Sequence, residues 1–139
     1  MNEPAVLFLC THNAGRSQMA MGFFKRLAGA RAVAYSGGSE PAAAVNSAAV
    51  AAMFEKGIDI SAEQPTRWTP DVLAIVDVVI IMGCGDACPI VPGCRYEEWS
   101  VPDPAGLELK DVRPIRDEIE LRVRRLVQQL DVGPAAPTA

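Results

Sequence analysis

The chain has 139 residues, half of them hydrophobic and 22% charged. That is the size and composition of one globular domain with its own core, and it excludes a disordered chain. The formal net charge of -4 excludes nucleic acid as a bulk partner but leaves room for a local basic pocket holding a small anion.

Residues 5–10, AVLFLC, are short, continuous and apolar, the pattern of a parallel strand covered on both faces. Residues 16–29 predict a helix, with Met19, Phe23, Phe24 and Leu27 on one face and Gly29 as its stop. Residues 31–38 predict a second strand running into a glycine turn. Asn46 predicts the cap of a helix through Lys56, with Val50, Met53 and Phe54 turned inward and Gly57 ending it. In 68–75, Thr69 reads as a cap and Pro70 as the first helical residue. Residues 76–82 are the strongest strand pattern, 83–94 a glycine- and proline-rich loop, and 95–99 a weaker strand. From Asp111 to Leu130 a last helix carries Ile115, Ile119, Val123, Leu126, Val127 and Leu130 on one stripe. Its charged remainder reads as a solvated face. Residues 133–139 read as a flexible tail on a single domain of residues 1–132. Strands alternating with helices imply an α/β domain with a mostly parallel sheet. No apolar run exceeds strand length, so no membrane span is expected. No secretory signal is visible, which makes the cytoplasm the expected compartment.

Ligands of such sheets bind outside the carboxyl ends of the strands, and Cys10 stands at one. The turn of Thr11, His12, Asn13, Ala14 and Gly15 leads from it into a helix. Successive N–H groups in that turn can form a nest for an anion. Arg16 adds a planar fork that grips two oxygens of a tetrahedral oxyanion. The same field favours the thiolate form of Cys10, and Ser17 can donate to its sulfur. A cysteine closing an apolar strand is more often a small buried hydrophobe. What weighs against that here is the whole strand–turn–helix context. Cys10, Cys84, Cys88 and Cys94 are the four cysteines. In a reducing compartment they are thiols for catalysis, redox cycling or metal binding rather than a disulfide framework.

The segment CTHNAGRS resembles the phosphate-binding loop of the low-molecular-weight protein tyrosine phosphatase superfamily. With RSQMA, YSGG, GIDIS, CGDACP, DPAG and VRPIRDEI, the chain resembles the arsenate reductases built on that fold, the thioredoxin-coupled type among them. The resemblance implies a central parallel four-stranded sheet flanked by helices. It implies Cys10 as nucleophile, Arg16 as oxyanion clamp, Ser17 as thiolate stabiliser and Asn13 as a residue that shapes the loop.

Asp103, between two prolines, reads either as a turn aspartate or, by the resemblance, as the general acid that protonates a departing oxygen. Phosphatases of this fold follow the Asp-Pro pair with an aromatic residue, whereas Ala105 and Gly106 follow here, which favours a small inorganic oxyanion. The resemblance implies a relay: Cys84 resolves the Cys10–arsenate adduct, Cys88 draws the oxidation outward, and thioredoxin reduces the resulting pair. The alternatives left open are a zinc site with His12 or an acid as fourth ligand, inert buried thiols, and attack by a low-molecular-weight thiol. In the last case the enzyme is an arsenate–mycothiol or glutathione transferase coupled to a mycoredoxin-type reductant. A tyrosine phosphatase is the rival activity. Arsenate is the expected substrate, with phosphate or sulfate as competing anions, and neither cofactor nor metal is expected. Asn13 and Ser36 match two ligands of a potassium site found in some arsenate reductases, but Met21 and Thr66 stand where that site has acids. Trp68 and Trp99 are candidates for walls of the pocket or for core packing.

Overall fold

The computed structural model describes residues 3–83 and 95–130. The strands β1 (Ala5–Cys10), β2 (Val33–Gly38), β3 (Val78–Ile81) and β4 (Arg95–Glu98) form one parallel sheet in the order β2-β1-β3-β4. The helices are α1 (Arg16–Ala28), α2 (Ser47–Phe54), α3 (Pro70–Ile75) and α4 (Leu109–Gln129). The expected α/β class and four-stranded parallel sheet are therefore present in one domain. Among the described residues, no helix is long and apolar enough to cross a membrane.

Alternation along β1 divides the core, because successive side chains of a strand point to opposite faces. Val6, Phe8 and Cys10 join the residues of α1, α2 and α4, whereas Ala5, Leu7 and Leu9 pack with Leu73, Val76 and Val79 on the α3 side. All six β1 residues are buried, as a strand covered on both faces must be. Phe8 meets Phe24 edge-on, with ring centroids 5.7 Å apart. On the helical side, α2 and α4 are tied by Glu55. Its carboxylate takes a two-pronged bond from Arg113 and a 2.7 Å contact from Arg116.

Several boundaries differ from expectation. Residues 29–31 form a turn of 3-10 helix after Gly29, whose φ of 58° stops α1, so β2 begins at Val33 rather than at 31. Phe54 does not face inward: it is 68% exposed, and the buried side of α2 is Ala49, Ala52 and Met53. Phe54 is the last residue of the helix, and the small alanines let α2 approach its neighbours without it. The helix α4 starts at Leu109, two residues early, which places Pro114 inside it. The buried stripe keeps Ile115, Ile119, Val123, Leu126 and Val127, adds Val112 and Arg116, and leaves Leu130 past the helix end and only partly buried. Cys84, Cys88, Cys94 and the 133–139 tail lie outside the described residues.

The order of the strands positions the site. β1 pairs with β2 on one side and β3 on the other, so the connections diverge from the carboxyl end of β1. A crevice opens where connections diverge in this way, and Cys10 is the residue there.

Candidate active site

The loop from Thr11 to Gly15 is built by turning its carbonyls outward. The oxygens of Thr11, His12 and Ala14 accept from the N–H groups of Glu40, Ala42 and Asn46 at 2.8–3.0 Å. That of Asn13 accepts from Gln18 Nε2 at 3.1 Å, and that of Gly15 from Met19 N at 2.9 Å. In a planar trans peptide the N–H of the next residue points opposite to the carbonyl. The N–H groups of His12, Asn13, Ala14, Gly15 and Arg16 are thereby aimed into the concavity. That of Asn13 meets Cys10 Sγ at 3.2 Å. The loop so turned lies at the N-terminus of α1, the place where a nest of N–H groups suits an anion.

Asn13 adopts a left-handed φ of 51° and is fully buried. Its Oδ1 accepts from Thr66 N at 2.9 Å and from Gln18 Nε2 at 3.2 Å. A backbone donor at Thr66 fixes which end of the amide is oxygen, so Nδ2 donates to Ser17 Oγ at 2.7 Å. Ser17 Oγ, which accepts from Asn13, lies 2.9 Å from Cys10 Sγ, within hydrogen-bonding distance of it. The Asn13 N–H and the Ser17 hydroxyl thus both meet the sulfur.

Arg16 is buried, with an exposure of 8%. Its Nη1 donates to Val101 O at 3.3 Å, and its Nη2 lies 3.5 Å from Asp103 Oδ2. Its Nε is buried with no partner among the described residues. A planar guanidinium of this kind carries the donors that an oxyanion can accept from. Gly83 makes room for it: a Cβ there would come within reach of Arg16 Nη1, and the φ of Gly83 is 93°. Its carbonyl accepts from Thr11 Oγ1 at 2.9 Å, which fixes the end of β3 to the loop.

Asp103 is half-exposed at the other rim. Its Oδ1 accepts from Ala105 N at 3.0 Å, and Leu107 N bonds Pro104 O at 3.0 Å. The turn 103–107 is therefore one compact unit, with Gly106 at a φ of 78°. Above Cys10 lies a cavity of about 230 Å³, lined by His12, Gly15, Arg16, Asn46 and Asp103 and by the small residues Ala14, Ala42, Ala44, Ala105 and Gly106. His12 is pinned on the rim through Nδ1, which lies 3.1 Å from Glu40 O. Neither tryptophan walls this cavity: Trp99 packs on Phe8, and Trp68 lies in the α3-side cluster under Arg67.

The structure thus gathers Cys10, the loop 11–15, Arg16, Ser17 and Asp103 in one place. From the sequence, Asn46 was read only as a helix cap and Thr66 only against a potassium site, while Gln18, Val101, Ala42 and Ala44 were passed over. A glutamine on an otherwise buried helical turn was a usable signal for Gln18. The others act through backbone groups or as small walls and leave no such mark.

Residues 5–134 match the family described as low molecular weight phosphotyrosine protein phosphatase. The chain is 39% identical over 127 residues to arsenate reductase 2 of Staphylococcus haemolyticus, covering 88% of this chain and 95% of that protein. Among solved structures it superposes on a Corynebacterium glutamicum thioredoxin-dependent arsenate reductase with a TM-score of 0.82 and 37% identity. The match takes in 93% of this chain and 62% of that one. It also superposes on an arsenate reductase in a phosphate-binding state, with a TM-score of 0.79 and 33% identity, covering 91% and 98% of the two chains.

Proposed function

The chain belongs to the low molecular weight phosphotyrosine protein phosphatase family, and from that premise we propose that it reduces arsenate to arsenite through an adduct on Cys10. The observation that carries this reading is the cavity wall. Beyond the loop, with His12 on its rim, and Asp103, the residues facing Cys10 are alanines, a glycine and Asn46, with no phenylalanine, tyrosine or tryptophan among the described lining residues. A phosphotyrosine ring finds no face to stack on there. An inorganic oxyanion needs only the nest, Arg16 and Asp103. The arsenate reductases among its relatives support the reading. The relative solved in a phosphate-binding state supports phosphate, and by the same tetrahedral shape sulfate, as competing anions.

In the proposed reaction, Cys10 thiolate attacks arsenic, and Asp103 protonates the displaced oxygen so that it leaves as water. The nest and Arg16 hold the charge that develops on the remaining oxygens. Cys84 thiolate then attacks Cys10 Sγ. The S–As electron pair stays on arsenic, which departs as arsenite, and a Cys10–Cys84 disulfide forms. Cys88 attacks Cys84, freeing Cys10 thiolate, and a thioredoxin dithiol supplies two electrons to the Cys84–Cys88 pair. What supports a role for Cys84 is its neighbour. Gly83 is bonded to Thr11 and packed against Arg16, so the chain enters the 84–94 segment from the rim of the site.

The test is arsenite release from arsenate with thioredoxin, and separately with mycothiol or glutathione plus a glutaredoxin-type partner. Cys84→Ser should release no arsenite, and Cys88→Ser should turn over once and trap a Cys10–Cys84 disulfide, read by mass mapping. Normal turnover of both variants with thioredoxin overturns the relay. Turnover with the small thiol alone makes the protein a transferase. A folded Cys10→Ser protein that still works removes the nucleophile from the scheme.

A further inference from the structure

Gly15 serves the nest through its backbone, but its missing side chain faces elsewhere. A Cβ at this position would lie 2.5 Å from Pro104 Cγ and 3.3 Å from Cδ. The backbone of Gly15 has a φ of -130°, outside the left-handed region, so the conformation alone does not demand glycine. What demands it is the pyrrolidine ring seated in the notch.

That ring is rigidly joined to the acid. Proline is locked to its own backbone, and Asp103 precedes it. The Asp103 carboxylate is bonded to Ala105 N, and Pro104 O to Leu107 N. A push on the ring therefore moves the carboxylate with the whole turn, away from its position 3.5 Å from Arg16 Nη2. We infer that Gly15 is a positioning residue for Asp103: the absence of a side chain at 15 lets Pro104 dock on the nucleophile's loop, and that docking sets the acid over Cys10. Specificity follows from the same contact, because a leaving oxygen that needs a proton is served only when the turn is docked. The inference rests on the reductase reading only for the choice of arsenate as a substrate.

A double-mutant cycle of Gly15→Ala and Pro104→Ala tests it. Pro104→Ala removes Cγ and Cδ and leaves Pro104 Cβ, which stands 3.9 Å from the new methyl, in ordinary contact. The cycle is read on single-turnover arsenite release and on hydrolysis of phenyl and 4-nitrophenyl phosphate. Gly15→Ala should slow arsenite release and phenyl phosphate hydrolysis by roughly 10- to 100-fold in the wild-type background, the range expected when a catalytic group is displaced by about 1 Å. In the Pro104→Ala background the same change should cost less than about threefold, as expected when the clashing atoms are gone. The loss should be greater for phenyl than for 4-nitrophenyl phosphate, whose leaving group has less need of a proton. An equal loss in both backgrounds, or one indifferent to the leaving group, places the damage in the loop itself and overturns the inference, as does no loss at all. A wild-type protein active on phenyl phosphate but not on arsenate sinks the reductase reading and leaves the cycle to decide on Gly15. Activity on neither sinks both.

Discussion

Arg16 is held at both ends of its fork, by Val101 O and by Asp103, with Nε left over in the site. Arg16→Lys keeps the charge and removes the planar donors, so the turnover number should fall on the order of 100-fold or more, as expected for a donor aimed at transition-state charge. A loss below about tenfold in steady-state kinetics means that Arg16 is not the oxyanion ligand. At this scale the sequence was most legible where chemistry and local order coincide. Cys10, Arg16 and Ser17 follow one another through a strand end, a turn and a helix start, so the peptide itself places them together. Gln18 showed only as a polar residue on a buried helical turn, and the contribution of Thr66 was not legible, because what both do is done to Asn13. The Thr66 N–H lies 53 residues along the chain from Asn13 Oδ1, and nothing in the letter threonine announces a backbone donor.

Among the elements, two caps found in the sequence separate stability from function. Thr69 Oγ1 accepts from Val72 N at the start of α3, and Asn46 Oδ1 accepts from Ala49 N at the start of α2. Each change to alanine should cost about 1 kcal/mol in denaturant unfolding. Thr69→Ala should leave arsenate kinetics unchanged. Asn46→Ala should also raise the KM for arsenate severalfold, because the first turn of α2 carries the N–H that holds Ala14 O. Equal kinetics in the two variants would count against that coupling. Apolar period and capping chemistry made every described strand and α-helix legible, though not the 3-10 turn at 29–31, and the errors fell at ends. Phe54 fits the inner stripe by spacing, yet the helix ends on it, and a side chain at a terminus answers to what lies beyond the helix. The early start of α4 was hidden by Pro114, which argues locally for a helix opening nearer to it.

Over the whole molecule, the tie between α2 and α4 sets an acid limit. Hydrogen bonds from Arg113 and then Arg116 lower the Glu55 pKa to about 2, from the 4.5 of an ordinary glutamate. A carboxylate depressed on folding contributes stability that is present above its unfolded pKa and lost as pH falls through the folded one. The melting temperature of the wild type should therefore exceed that of Glu55→Gln at neutral pH, and the gap should close between about pH 4.5 and pH 2. A gap constant across that window would detach the pair from stability. The outward-turned carbonyls of the loop have a different consequence. They are bonded to residues 40–46 and to Gln18 within the protein itself, so the nest takes its shape with no help from an anion. A socket formed in advance has no folding step with which to prefer one tetrahedral anion over another of like charge and shape. In the proposed reaction arsenate and phosphate would therefore enter on similar terms, and discrimination would fall to the fate of the sulfur adduct: arsenic can keep an electron pair that phosphorus, under the same attack, will not.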